Sequence, residues 1–316
     1  MGSRYEKNIR LQPELIRQIM AAPLPSWMEE LKKKRFFFVG VGSSFHAAQI
    51  ASILWRRHVS PQAWAEHSFD FVSLPQPIAS GDVAVLLSHR GGRSYTVQAA
   101  SVARRAKAVP VAMTGHGAIW GDSIAHRLET CEAEDSGVYT KSVISSLVWI
   151  ARWIGEAGMI EGLRRACISL EAGPRFPSVA FGADLVFLGD LEREWVARET
   201  SLKVLEAAYY PARAFGLEEF LHGPHVSVGP KTMVVAFSGL DPRWKALRDY
   251  LQAVQVPLFE VAPGNVPVSA AWLSQLFWGQ RLALDICRKA DVNPDAMKGD
   301  DARYLKARES LKLISA

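Results

Sequence analysis

The chain carries the same strand-and-turn signature twice, and this internal recurrence restricts its fold more than any other feature. Phe38-Val39-Gly40 returns as Phe187-Leu188-Gly189, at an offset of 189 − 40 = 149. The strand-like run ending at Ser88 returns ending at Ser238, 238 − 88 = 150, and Val109-Pro110 returns as Val256-Pro257, 257 − 110 = 147. Between these points, runs dense in β-branched and aromatic residues alternate with longer stretches of helical period. That alternation is the pattern of βα units around a parallel sheet buried on both faces. Two tandem α/β copies are therefore expected, and 316 residues accommodate two domains of about 150 each.

The runs predict strands over Arg35 to Gly40, Ala63 to His67, Asp82 to Ser88, Val109 to Thr114, Asp184 to Gly189, Thr232 to Ser238 and Pro257 to Val261. Helices are predicted over Ser44 to His58, Tyr95 to Ala106, Lys141 to Glu156, Glu192 to Tyr209, Trp244 to Gln255 and Trp272 to Ala290. Tyr5 to Ala22 reads as a helical arm, with Pro13 where a helix can start. Gly173-Pro174 and Phe176-Pro177 punctuate the chain between a helix and a strand, so the join is expected at 171–179. The resulting division is an arm over 1–30, a first unit over 31–172, and a second unit over 178–316 that includes the C-terminal tail.

Composition narrows the function classes. At 49% hydrophobic and 22% charged residues, global disorder is excluded. The 37 Lys and Arg exceed the 32 Asp and Glu by only five, and outside Lys32 to Arg35 they are scattered, so no nucleic-acid footprint is expected. Cys131, Cys167 and Cys287 form no CxxC pair, which fits reduced thiols and a cytoplasmic protein. No apolar run reaches the length of a membrane span, and no secretory h-region follows Met1. Glu6 stands where a myristoylation motif needs Ser or Thr.

In open parallel sheets ligands bind beyond the carboxyl ends of the strands, so the loops there are the candidates for chemistry. The first is Gly40-Val41-Gly42-Ser43-Ser44-Phe45-His46. Its glycines permit a tight turn, and Ser43 and Ser44 open a helix, where hydroxyls and free amides suit a phosphate or simply cap the helix. A dinucleotide fingerprint would need a third glycine at Phe45, so no nicotinamide cofactor is expected. The second loop, Ser88-His89-Arg90-Gly91-Gly92-Arg93-Ser94, combines hydroxyls, two guanidinium groups and flexible glycines, an environment suited to anionic oxygens. A third segment, Glu134 to Lys141, brings Thr140 and Lys141 to the start of an apolar helix. His222-Gly223-Pro224-His225 has HxxH spacing but no third ligand in a recognisable pattern, so no metal is expected.

These segments, and above all Glu199-x3-Lys203-x2-Glu206-x2-Tyr209 followed by Glu219-x2-His222-Gly223-Pro224, resemble the SIS (sugar isomerase) family. The pattern is closest to the isomerase half of glutamine-fructose-6-phosphate aminotransferase and to the fructosamine-6-phosphate deglycases. Even the arm, Tyr5-x-Lys7-x-Ile9-x2-Gln12-Pro13, is similar to the segment leading into that isomerase module. The resemblance covers nearly the whole chain, so no glutaminase domain and no ammonia delivery from glutamine are expected.

The resemblance implies two tandem SIS domains and a site assembled from several loops. A sugar phosphate would rest on Gly42, Ser43, Ser44, Ser88 and His89, with the main chain of Gly137 near the sugar and Tyr139 and Thr140 beside it. Glu206 would be the proton-transferring carboxylate, with Lys203 and Glu199 one and two helical turns earlier on the same face. His222 of the partner subunit would act on the sugar ring, which implies a homodimer, and Lys298 would reach the substrate carbonyl. Arg90, Arg93 and Tyr139 depart from the family's small hydroxyl cradle, so the anion is expected to meet guanidinium groups, and a sulfonate or carboxylate becomes an alternative to phosphate. The implied chemistry is enediol-type proton transfer without metal or redox cofactor, as aldose-ketose isomerisation or as release of an amine. A sugar-phosphate sensor without chemistry is the alternative from another class.

Overall fold

The computed structural model describes residues 2–92, 94–172, 176, 184–262 and 266–311. The chain forms two compact units, one built from Met1–Glu156 and Asn293–Ala316, the other from Ala157–Val292.

In the first unit, α1 (Arg4–Arg10) and α2 (Gln12–Ala21) make the arm, and α3 (Ser26–Leu31) leads to the sheet. There follow β1 (Phe36–Gly40), α4 (Ser43–His58), β2 (Ala63–His67), α5 (Ser68–Ser73), β3 (Val83–Leu87), α6 (Tyr95–Arg105), β4 (Val109–Gly115), β5 (His126–Cys131) and α7 (Lys141–Ile154). The five strands are parallel in the order β2-β1-β3-β4-β5. The arm is two helices where one was expected. Inside a continuous helix Pro13 would remove a hydrogen bond and press on the carbonyl one turn back, so the chain restarts at Gln12 with Pro13 in the first turn.

In the second unit, α8 (Ala157–Ala172) precedes β6 (Asp184–Gly189), α9 (Glu192–Ala208), β7 (Ala212–Gly216), α10 (Leu217–Leu221), β8 (Thr232–Phe237), α11 (Arg243–Ala253), β9 (Leu258–Glu260) and α12 (Ala271–Lys289). Its parallel strands run β7-β6-β8-β9, the same order as the first four strands of the other sheet. In both sheets the chain moves one way from the first strand and then returns to its other side. The switch points therefore lie at the carboxyl ends of β1 and β3, and of β6 and β8.

The paired central strands carry the cores because their side chains are apolar on both faces. In the first unit Phe37, Val39, Ala84 and Leu86 meet Ala99, Ala100 and Ala103 of α6, whose small side chains let the helix lie close. In the second, Val186, Leu188, Val234 and Ala236 meet Trp244, Leu247 and Leu251 of α11. Each fully buried Leu, Val or Phe contributes roughly 1.5–3 kcal/mol.

Two features depart from the expected plan. The tail, including α13 (Ala302–Leu311), belongs to the first unit and not to the second. Asp295 explains this, because its carboxylate accepts from the amides of Arg4 and Tyr5 at 2.6 and 3.0 Å and from Ser136 Oγ at 3.0 Å. The contact boundary falls after Glu156, whereas most of the expected join at 171–179 lies outside the described residues. Among the described residues, no helix is long and apolar enough to cross a membrane.

Candidate functional site

At the first switch point, the loop after β1 needs glycine twice. A Cβ on Gly40 would stand 2.5 Å from the Ser44 backbone, and Gly42 has φ +57 and ψ −130, a conformation that L side chains rarely adopt. Gly42 is the N-cap of α4, so Ser43 and Ser44 are its first two helical residues and neither hydroxyl caps it. Among the described residues neither hydroxyl has a hydrogen-bond partner, and both side chains are half-buried at the positive end of a helix of 16 residues.

The loop after β3 is held from below. Thr114 Oγ1 donates to the Ser88 carbonyl at 2.7 Å, and the Gly91 amide donates to Ser88 Oγ at 3.2 Å, leaving the Ser88 hydroxyl proton available. The Gly92 amide donates to the Ile119 carbonyl at 2.7 Å. Gly91, at φ +62, approaches Ile119 so closely that a Cβ would stand 2.1 Å from its carbonyl oxygen. The successive amides of His89 and Arg90 have no acceptor among the described residues. Arg90 is exposed, with its guanidinium carbon 5.4 Å from the Tyr139 ring centroid, and forms no ion pair among those residues. Arg93 lies outside the described residues.

The side chain of His89 turns inward. Its Nε2 accepts the Glu134 amide at 2.8 Å, its ring centroid lies 5.3 Å from that of Tyr139, and its Cε1 is 2.4 Å from where a Cβ on Gly115 would stand. Burial pushes the His89 imidazole below the usual histidine range; Glu134 opposes that shift, and Lys141 and Arg90 reinforce it.

Glu134 organises the third loop. Its buried Oε2 accepts from the Thr140 amide at 2.9 Å, Thr140 Oγ1 at 3.3 Å and the Lys141 amide at 3.3 Å, while Oε1 accepts from the Ser142 amide at 2.8 Å. One carboxylate thus satisfies the first donors of α7 and complements its dipole. Thr140 is fully buried with its hydroxyl on Glu134, so the structure gives it a structural partner where a substrate contact was expected. The sequence reading included Glu134 but gave it no role. It precedes the helix by more than the usual capping distance, and only its position before Gly137 and an apolar helix signals the bond. A Cβ on Gly137 would stand 2.3 Å from Met297 Sδ, which brings the tail to this loop. Lys298 follows at φ +58, with Nζ 5.6 Å from the Tyr304 ring centroid.

In the second unit, spacings of four and three residues put Glu199, Lys203 and Glu206 on one face of α9. Lys203 Nζ lies 2.7 Å from Glu206 Oε2 and 3.5 Å from Glu199 Oε1. The side chains of Lys203 and Glu199 are 1% exposed and that of Glu206 is 31% exposed, so a buried ion pair ends on an accessible carboxylate. Gly279 helps bury the pair, since a Cβ there would strike Thr200 Oγ1 at 2.1 Å as α12 packs on α9. His222 is 78% exposed and its Nε2 lies 2.8 Å from Glu218 Oε1, one turn back on its own helix. His225 packs edge-on against Tyr250 at 5.3 Å. No cluster of three or more His, Cys, Asp or Glu suited to a metal ion occurs among the described residues.

The second switch point is chemically different from the first. Asp190 accepts from Arg193 at 3.1 Å and from Trp244 Nε1 at 2.9 Å, and Arg193 also pairs with Glu192 at 3.2 Å. Glu192 and Arg193 stand where the 149-residue offset places Ser43 and Ser44 in the first copy. Buried charges satisfy one another there, whereas the first unit leaves hydroxyls and amides open.

The doubly wound sheet with hydroxyl-bearing loops at its switch point matches a known class over part of the chain: residues 31–151 fit the model of the SIS domain. The glutamine-fructose-6-phosphate aminotransferase (isomerizing) of Chlamydia muridarum is 24% identical over 269 residues, which are 75% of this chain and 44% of that protein. The chain thus spans less than half the length of the curated relatives it matches. Solved structures of the same fold include the glucosamine-6-phosphate deaminase of Thermotoga maritima, with TM-score 0.77 and 22% identity over 93% of this chain and 97% of that one. The C-terminal domain of the Francisella tularensis glucosamine-fructose-6-phosphate aminotransferase gives TM-score 0.79 and 18% identity over 93% and 98%. The tagatose-6-phosphate ketose/aldose isomerase of Escherichia coli gives 0.75 and 20% over 94% and 95%.

Proposed function

We propose that this protein is an enzyme acting on a phosphorylated or similarly anionic sugar, with Glu206 as the base that moves a proton between adjacent carbons. The observation that carries this reading is the accessible Glu206 carboxylate fixed by the buried Lys203 ammonium, itself paired with Glu199. A base must be held in place yet remain open to substrate, and this arrangement provides both. The open hydroxyls of Ser43, Ser44 and Ser88, the amides of His89 and Arg90, and the Arg90 guanidinium supply donors for the substrate's anion.

Within this reading, release of an amine from a fructosamine-type substrate is preferred over simple isomerisation, because an architecture of two SIS-like units resembles the deglycases. Glu206 takes the proton from C1 of the ketosamine, the C2 carbonyl becomes the hydroxyl of an enaminol, and C2 is then protonated. The resulting C1 imine adds water and releases the amine, leaving an aldose. Isomerisation uses the same base through an enediol. The 157–292 unit is read as a second SIS domain whose own switch point is closed by Asp190, Glu192 and Arg193. Lys298 is assigned to the substrate carbonyl, supported by the packing of Met297 on Gly137. The protein is read as a homodimer in which His222 of the partner subunit reaches the sugar ring, consistent with the exposure of His222.

The test is a proton NMR turnover assay on hexose 6-phosphates, fructosamine 6-phosphates and sulfosugars, run beside thermal-shift measurements. Product formation that disappears in Glu206→Gln, while ligand stabilisation persists, supports the assignment. Stabilisation without product from any of these substrates replaces it with a sensor.

A further inference from the structure

The inward orientation of His89 gives this residue a role other than substrate contact. Its Nε2 is taken by the Glu134 amide, and its other edge, Nδ1 and Cε1, abuts the backbone at Gly115. An imidazole that accepts at Nε2 is neutral and carries its proton on Nδ1, and that buried nitrogen has no hydrogen-bond partner among the described residues. The ring therefore joins two loops by one bond. One is the loop after β3, with its two open amides. The other begins at Glu134, whose carboxylate fixes the start of α7 and whose chain continues through Gly137 and Tyr139.

We infer that His89 is a positioning residue: as a neutral acceptor of the Glu134 amide it locks the anion-holding loop after β3 to the Gly137–Tyr139 loop, and its protonation undoes the lock. A protonated ring would aim an N–H at the N–H of Glu134, so the bond becomes a donor-donor clash. The charged groups facing the ring are the Glu134 carboxylate, which favours the imidazolium, and Lys141 and Arg90, which oppose it. Burial is the largest influence and favours the neutral ring. Because the folded state resists the proton, the lock is intact above about pH 6.5, the ordinary histidine value, and is lost only as pH falls through the ring's own, lower value.

This inference rests on the proposal that the β3 loop binds the anion of a sugar substrate, and its test separates the two. The probes are glucose 6-phosphate and glucose 6-sulfate, the second of which does not titrate between about pH 5 and 8. Binding is measured by calorimetry across that range for wild type, His89→Gln and His89→Leu. Glutamine keeps an acceptor within reach of the Glu134 amide and cannot titrate, whereas leucine removes the acceptor. Wild-type affinity for the sulfate should fall at least about fivefold between pH 7.5 and one unit below the ring's own titration midpoint, which nitrogen-15 shifts across the same pH series locate. His89→Gln should bind with little pH dependence, and His89→Leu should be about tenfold or more weaker at every pH. Nitrogen-15 NMR of the imidazole in the unliganded wild type reads the tautomer directly, with the proton expected on Nδ1 at pH 7.5. A proton on Nε2, or acid weakening in His89→Gln equal to that of wild type, overturns the inference even if both sugars bind. Failure of both sugars to bind wild type, with the tautomer as expected, instead overturns the functional reading.

Discussion

Lys203 shows how residue-scale energetics constrain the site. A lysine almost fully removed from water faces the carboxylates of Glu199 and Glu206, and removing it breaks a buried ion pair from one side. Lys203→Met should cost roughly 3–5 kcal/mol of stability in urea unfolding, as well as lowering turnover. Glu206→Gln keeps the volume and a partner for Lys203, so its unfolding midpoint should stay near wild type while turnover disappears. A large stability loss in Glu206→Gln would mean that the carboxylate is structural. Arg90 behaves differently: it is exposed and stacked on Tyr139, so Arg90→Met should raise KM about tenfold with kcat little changed. Tyr139→Phe, which keeps the ring, should not reproduce that loss, and Tyr139→Leu should. The α9 trio was legible from its 4-and-3 spacing. The inward turn of His89 was not, since nothing in Ser88-His89-Arg90 tells which way an imidazole faces.

At the scale of elements, the central strands were legible to within a residue or so at each end, because continuous apolar runs such as Phe36 to Val39 and Val83 to Leu87 have no other stable home. The strands β5 and β7 were not legible. Both lie at sheet edges, where one side meets no neighbour, and their sequences, His126 to Cys131 and Ala212 to Gly216, carry charge where a central strand would carry valine. The helix α7 illustrates a dependence invisible from propensity: its first donors rest on a carboxylate six to eight residues upstream. Glu134→Ala should therefore destabilise the first unit by roughly 2–4 kcal/mol, since charge-assisted bonds to a buried group are lost and their donors left unpaired. Denaturant unfolding followed by tryptophan fluorescence would check this; a change below about 0.5 kcal/mol would show that water replaces the carboxylate without penalty.

For the molecule as a whole, the 147–150-residue recurrence was visible in the sequence and appears as the same strand order in two sheets. The difference between their switch points was less visible. Glu192 and Arg193 stand at the positions of the two serines, and nothing in their sequence shows that both are buried and paired. The proposed homodimer yields a test at this scale. If His222 of the partner subunit completes each site, mixing Glu206→Gln and His222→Ala proteins should restore about a quarter of wild-type activity, because random exchange makes half the dimers mixed and each has one intact site. No recovery after exchange verified by mass spectrometry would place His222 outside a shared site.

Asp295 has a consequence for how the molecule is made. The first unit is drawn from both ends of the chain, and three of its hydrogen bonds await a carboxylate near the C-terminus, two of them bridging about 290 residues. The second unit is one uninterrupted stretch. During synthesis the helix bearing Glu206 can settle in its own unit while the first unit still lacks its closing clasp. The order of translation thus allows the 157–292 unit to be complete before the unit that Asp295 closes.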